Sequence, residues 1–158
     1  MNHLAKLRPM NQKEYLEWSK ISIEEYANEK KKANGCSSEE ANNISRDTFQ
    51  TLLPDGLKTK DHFHYVLEEK GIYMGSFWFH LQGTEDHQKA FIYDVKILEE
   101  FQGKGYGRLI MTLGENEAKK AGAKAIRLHV FGSNSRAINL YQSLNYITTD
   151  LTMMKALT

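Results

Sequence analysis

The sequence predicts a single mixed α/β domain, and three observations carry that prediction. Runs rich in β-forming residues alternate along the chain with stretches whose apolar residues recur every three or four positions, and no internal repeat, low-complexity tract or linker interrupts them. Its 158 residues suit one hydrophobic core, which stays economical up to roughly 250 residues. With 41% hydrophobic and 26% charged residues and only 2 prolines, the chain can bury that core and lies outside the composition of disordered segments. One domain over residues 1–158 is therefore expected.

Each element has its own signal. Leu4 to Met10 alternates and meets Pro9, as a short edge strand does, because proline is tolerated at a sheet edge. From Glu14 to Lys32, Tyr15, Trp18, Ser22 and Tyr26 mark one face of an amphipathic helix, with Lys30 to Lys32 at its negative end and Asn34-Gly35 as the stop. Ser37-Ser-Glu-Glu40 reads as a capping box opening a second helix, which carries Ile44, Phe49, Leu52 and Leu53 before Pro54-Asp-Gly56 ends it. His62 to Glu68 and Ile72 to Leu81 form a hairpin around Glu69-Lys70-Gly71. Ala90 to Ile97 is a further strand. Gly105 to Ala121 is helical, with Leu109, Ile110, Leu113 and Ala118 inward. Ala125 to Phe131 alternates as another strand, and Asn134 to Leu144 forms a last helix with Ala137, Ile138, Tyr141 and Leu144 on one face. Tyr146 to Lys155 is expected to close as a hairpin.

Several function classes drop out on composition. Lys and Arg total 21 against 20 Asp and Glu, a formal net charge of +1, so the chain has no overall field for a polyanion, and nucleic acid is not an expected partner. A single cysteine, Cys36, permits neither an intrachain disulfide nor a cysteine-rich zinc framework. Met1 to Met10 holds Lys6, Arg8 and Pro9 where an export signal needs a continuous apolar run. Gly71 to Leu81, the most apolar stretch, is too short for a bilayer that needs about 20 helical residues. A cytoplasmic location with no membrane partner is the expectation, and a homodimer is left open.

The most informative segment is Gln102-Gly103-Lys104-Gly105-Tyr106-Gly107-Arg108, placed between a strand and a helix. Glycine permits positive φ and close approach of a ligand to the backbone. The N–H groups of a first helical turn, backed by the helix dipole, favour an anion, and Lys104 and Arg108 bracket the loop with positive charge. A tight strand-to-helix turn without a ligand would use the same residues. The spacing is neither a P-loop, which ends Gly-Lys-Ser/Thr, nor the Rossmann fingerprint.

Ala90 to Gly107, with its apolar strand, the Glu99-Glu100 turn and Gln102-x-x-Gly105-x-Gly107, resembles the acetyl-CoA motif of the GNAT N-acetyltransferase superfamily, Q/R-x-x-G-x-G/A. Asn134-Ser-Arg-Ala137-Ile-Asn-Leu140-Tyr141-Gln-Ser-Leu144-Asn-Tyr146 is similar to that family's second motif, N-x-x-A-x-x-L-Y-x-x-x-G-F/Y. Asn145 stands where the family usually has glycine, and asparagine is the best substitute at a left-handed position. The resemblance implies a GNAT-type α/β (α+β) fold: a mixed, mostly antiparallel sheet splayed at its centre, with helices on both faces. It also implies acetyl-CoA as co-substrate and a primary amine of a small molecule or peptide as acceptor; no metal is expected, because the histidines form no ligand pattern.

By the same resemblance, Val95 and Ile97, with Lys96 between them, hold pantetheine through backbone hydrogen bonds. The pyrophosphate rests on the amides from Gln102 to Arg108, Asn134 meets the pantetheine arm and Ala137 leaves room beside it. The amine attacks the thioester directly through a tetrahedral intermediate, whose oxyanion meets a backbone N–H. Tyr141 matches the family's proton donor, and a phenol of pKa near ~10 stays protonated at neutral pH; helical spacing alone favours a core tyrosine, and the full motif favours the donor. Asp94, an acid in an apolar strand, is either a general base raised by burial or a solvent-facing or capping residue. Tyr93 and Asp94 are expected on opposite faces of that strand, so that only one lines the amine pocket. His80 could act through a water, while His62, His64, His87 and His129 show no metal-ligand spacing. Tyr15, Trp18, Tyr26, Glu24 and Glu25 suit a cationic acceptor, as they suit any amphipathic helix. A catalytically silent acyl-CoA sensor is the rival reading.

Overall fold

The computed structural model describes residues 4–158, so the first three residues of the Met1–Met10 segment lie outside the described residues. The chain divides into two compact units, Met1–Leu128 and His129–Thr158.

The first unit is built from β1 (Lys6–Pro9), α1 (Gln12–Asn34), α2 (Ser38–Leu52), β2 (His62–Glu69), β3 (Ile72–Gln82), β4 (Lys89–Ile97), α3 (Tyr106–Lys120) and β5 (Ala125–Leu128). Its five-stranded sheet runs β1-β2-β3-β4-β5; the first three pairings are antiparallel and β4–β5 is parallel. This is the mixed, mostly antiparallel sheet the sequence predicts. Parallel neighbours need a crossover, and α3 supplies it.

Local chemistry sets the boundaries. Asn11 caps α1 by accepting from the Glu14 N–H at 2.8 Å, while the Glu14 carboxylate accepts from the Asn11 N–H at 3.1 Å. That capping box starts the helix at Gln12, ahead of the Glu14 expected from apolar spacing. Gly35 ends it at φ 61°. Ser37 caps α2 from Glu40 N–H, and Lys70 (φ 51°) and Gly71 (φ 77°) make the tight turn between β2 and β3, the geometry that matches strand twist. Pro9 ends the edge strand β1, and the next N–H, from Met10, donates to His64 O at 2.9 Å.

Both sheet faces are covered. Met10, Tyr15, Trp18, Leu53, Val66 and Trp78 form a buried cluster under α1 and α2. On the other face, Phe77 and Phe79 are at most 1% exposed, and α3 comes so close that a Cβ on Gly114 would run into the Phe77 ring. Burial on both faces is why β3 reads as a nearly continuous apolar run. In α3 the residues facing the core are Tyr106, Ile110, Met111, Gly114 and Ala118; Leu109 and Leu113, expected inward, are half-buried.

The second unit holds α4 (Ser135–Ser143), with Ala137, Ile138, Leu140, Tyr141 and Leu144 as its less exposed residues. Two expectations are corrected. The strand expected to Phe131 stops at Leu128, because its partner β4 bulges just after the last pair, Ile92 with Leu128. The hairpin expected over Tyr146–Lys155 is absent: residues 146–158 carry no strand, and Ile147, Leu151, Met153, Met154 and Leu157 are exposed. Thr149-Asp150-Leu151 offers no glycine for a tight turn.

Candidate active site

The geometry of the candidate site begins with a slip in register. β3 and β4 pair Trp78 with Asp94 but Phe79 with Ile92, leaving Tyr93 as the extra residue of a β-bulge. A bulge turns two successive side chains towards one face. Tyr93 accordingly stacks on Trp78 at 4.8 Å, and Asp94 meets Trp18, whose ring lies 5.3 Å from that same Trp78. The expectation that Tyr93 and Asp94 face opposite sides is therefore wrong: strict alternation fails where one residue is inserted. The bulge also coincides with the end of the β4–β5 pairing. From Tyr93 to Ile97, β4 continues with β3 as its partner, while β5 ends at Leu128.

Asp94 is half-buried, and its Oδ2 accepts from the Trp18 indole N–H at 3.4 Å. Burial pushes the Asp94 carboxyl up to about 6; Trp18 and Lys96 pull it down, and Glu25 and Glu29 push it up further. Lys96 sits two positions on and ties β4 to α1 through an ion pair with Glu25 at 2.6 Å. Below the first half of α1 is a cleft of about 470 Å³, lined among others by Glu14, Trp18, Ile21, Tyr73, Lys96 and Leu98. Tyr15 and Trp18 are buried in the core, and Glu24 and Glu25 are exposed.

The loop after β4 is shaped as an anion cradle. Leu98 N–H donates to Met74 O at 2.9 Å, a 3-10 turn covers Glu99–Phe101, and Gln102 braces the loop by donating from its side chain to Ile97 O at 2.8 Å. The Gln102 N–H is itself directed to Glu99 O at 3.2 Å, so Gln102 anchors the cradle. Gly103 and Gly105 then adopt φ 74° and 86°, positions where a side chain is disfavoured. Among the described residues, nothing lies within 4 Å of where a Cβ on Gly103 would sit. Gly105 caps α3 without a side-chain acceptor, and the first turn of the helix follows directly on the two glycines. Tyr106 turns its ring into the core, with its hydroxyl donating to Glu69 Oε2 at 3.3 Å; Lys104 and Arg108 are exposed beside the loop. These residues fit a pyrophosphate. Among the described residues there is no group of three or more His, Cys, Asp or Glu placed to hold a metal, and no helix long and apolar enough to cross a membrane.

In the second unit, Asn134 caps α4 by accepting from the Ala137 N–H at 3.2 Å. Tyr141 is half-buried, with its ring 5.8 Å from Tyr146. Asn145 takes the left-handed conformation, φ 71°, as expected for the family's glycine position.

The histidines are where sequence reasoning was least informative. His64 is 5% exposed, and among the described residues neither ring nitrogen has a hydrogen-bond partner; burial and then His62 push it down to about 3. His62 and His80 stack at 4.0 Å with planes 8° apart.

The family model for the GNAT acetyltransferase family matches residues 21–146. The uncharacterized N-acetyltransferase YycN of Bacillus subtilis is 35% identical over 153 residues, covering 96% of this chain and 97% of the relative. Its crystal structure superposes with a TM-score of 0.88 at 33% identity, covering 98% and 99% of the two chains. A second Bacillus subtilis relative, the uncharacterized N-acetyltransferase YdgE, is 28% identical over 96% of this chain and 97% of its own. The fold is shared more distantly, at TM-score 0.61 and 11% identity over 98% of each chain, with AAC(6')-Iy in complex with a bisubstrate analog, CoA-S-monomethyl-acetylneamine. With a family match that spans both units and a glycine loop between β4 and α3, this chain belongs to the GNAT acetyltransferase family.

Proposed function

We propose that this acetyltransferase moves the acetyl group of acetyl-CoA to a primary amine, and that Asp94 is the base that receives the ammonium proton. The carrying observation is the bulge, which presents a half-buried carboxyl raised to about 6 on β4 just past its last pair with β5. A base titrating near the working pH is mostly unprotonated at pH 7 and still able to hold a proton. The ammonium gives one proton to Asp94, the freed nitrogen adds to the thioester carbon to form a tetrahedral intermediate, and as that intermediate collapses the C–S bond breaks, the thiolate takes a proton and the nitrogen loses its second proton to solvent.

The remaining roles follow the motifs. The backbone of Val95 and Ile97, with Lys96 between them, is the pantetheine rail, and the cradle from Gly103 to Arg108 takes the pyrophosphate. Asn134 and Ala137 flank the pantetheine arm. Tyr141 gives its proton to the departing thiolate. The two compact units serve as one acetyltransferase domain over residues 1–158.

Release of CoA thiol from acetyl-CoA, followed across a panel of primary amines, tests this reading. Amine-dependent release by the wild type should fall about 10²–10³-fold in Asp94→Asn at pH 7, since general base assistance is worth roughly 10²–10⁴. Acetyl-CoA binding should persist in the variant. Binding without thiol release for any amine would instead mark a silent acyl-CoA sensor.

A further inference from the structure

The second unit, His129–Thr158, has no core of its own: among the described residues none of its side chains is buried, those of α4 included. Phe131, Ile147, Leu151, Met153, Met154 and Leu157 are instead between 67% and 96% exposed. At on the order of 100 Å² for each such side chain, two copies of the chain together show about 1,200 Å² of uncovered apolar surface, the area at which stable protein interfaces begin.

The segment that carries most of these side chains has the composition of a strand. Residues 146–157 hold no glycine or proline, and the β-branched Ile147, Thr148, Thr149 and Thr152 favour extended backbone. Alternation puts Ile147, Leu151 and Met153 on one face and Asp150 on the other, yet among the described residues this segment pairs with no strand. The sheet has a matching vacancy. β5 is its last strand, with β4 on one side and no described strand on the other, and such an edge is a template for a further strand. Ile126 and Leu128 are half-buried on one face of β5, and Arg127 is exposed on the other. An antiparallel strand that sets Leu151 opposite Ile126 also sets Asp150 opposite Arg127, so the apolar and charge patterns agree in one register.

We propose that the occupant of this edge is residues 146–157 of a second copy of the chain, the two copies exchanging their tails reciprocally about a twofold axis. Each chain carries both halves of the match, as a symmetric exchange requires, and the tail's exposure in the single chain points away from pairing with its own β5. The helix α4 ends at Ser143, and the link to the tail, at about 3.5 Å per residue, spans only on the order of 10 Å. The helix therefore travels with the tail, and Asn134 and Tyr141 serve the site that holds the partner's Asp94. Their roles there rest on the acetyltransferase reading above; the exchange does not.

Light scattering on the whole chain should give twice its 18.2 kDa, and Leu151→Asp/Met153→Asp should halve that mass. Two chains, both with Cys36→Ser and carrying either Arg127→Cys or Asp150→Cys, should cross-link to each other through a short bismaleimide when co-expressed. A monomeric mass, or cross-linking only within one chain that carries both cysteines, would overturn the exchange. Co-expressed Asp94→Asn and Tyr141→Phe chains should recover about a quarter of wild-type thiol release, because half of the dimers are mixed and each mixed dimer holds one intact site of two. A cross-linked dimer whose mixture does no better than the average of its two parents would return α4 to its own chain and overturn the shared site. Cross-linking by a protein that acetylates no amine would support the exchange and sink the enzyme reading, so the two fail separately.

Discussion

The Trp18 indole N–H reaches Asp94 Oδ2 at 3.4 Å across 76 residues of sequence, tying the first long helix to the bulge in β4. The bond opposes the larger effect of burial, which raises the carboxyl. Trp18 is itself fixed by edge-on contacts to His64, Phe49 and Trp78. It positions Asp94 without needing to touch substrate. Trp18→Phe keeps an aromatic ring and deletes the donor, so the anion loses its stabilisation and the carboxyl titrates higher. The acid limb of kcat/KM, expected near pH 6 in the wild type, should move up by about half to one pH unit. A purely packing role would lower the rate evenly at all pH values and leave the limb in place.

The cradle makes a separable prediction. A methyl group on Gly103 would meet nothing among the described residues within 4 Å, so Gly103→Ala costs the fold only its left-handed backbone, on the order of 1 kcal/mol. A phosphate lying against that backbone would meet the methyl directly. Acetyl-CoA affinity should fall at least about tenfold while Tm drops by only a few degrees. Unchanged affinity by calorimetry would make the loop a turn and nothing more.

Much of this was legible because it rests on local chemistry. Asn145 was readable as left-handed, Pro9 as an edge residue and Gly105 as the opening of a helix, each from its own side chain or lack of one. Register was not. A two-residue turn at Lys70-Gly71 would by itself set His62 opposite Phe79; the slip between Leu67 and Glu68 advances the pairing so that His62 faces His80. The bulge at Tyr93 likewise puts two neighbours on one face. Bulges answer to packing from both sides of a sheet, and no local residue pattern announced either one. The Trp18–Asp94 bond depends on where α1 comes to lie, so its two ends could be flagged but not joined.

Burial of His64 sets how the fold responds to acid. Its folded pKa of about 3 lies below the ordinary value near ~6.5, so the unfolded chain takes up its proton first. The stability tied to neutral His64 is present above about pH 6.5 and lost as pH falls towards 3, by up to about 1.4 kcal/mol per pH unit. His62, pushed down to about 4, adds loss of the same sign, whereas Asp94, raised to about 6, favours the fold as it protonates. His64→Leu removes the buried imidazole and its two unpartnered nitrogens. Urea midpoints measured at pH 7 and pH 4.5 should differ by less in the variant than in the wild type. An identical drop in both would assign the acid sensitivity elsewhere.

Tyr141 can be separated into ring and hydroxyl. The backbone around it is fixed, since its carbonyl accepts from both Leu144 and Tyr146 N–H groups at 3.0 Å, and its ring packs 5.8 Å from Tyr146. Tyr141→Phe preserves that packing and removes only the O–H. If the residue merely fills α4's apolar face, acetyl transfer should proceed unchanged and the only cost should be that of any hydrogen bond the hydroxyl makes, about 1 kcal/mol. If it protonates the leaving thiolate, acetyl-CoA affinity should hold while the rate falls about ten- to a hundredfold, towards the low end of the roughly 10²–10⁴ usual for general acids because a thiolate leaves tolerably unaided. Steady-state turnover can hide such a loss behind product release, so the deciding measurement is a single-turnover rate with enzyme in excess. A variant that binds acetyl-CoA normally and transfers at the wild-type single-turnover rate would leave Tyr141 with its packing role alone.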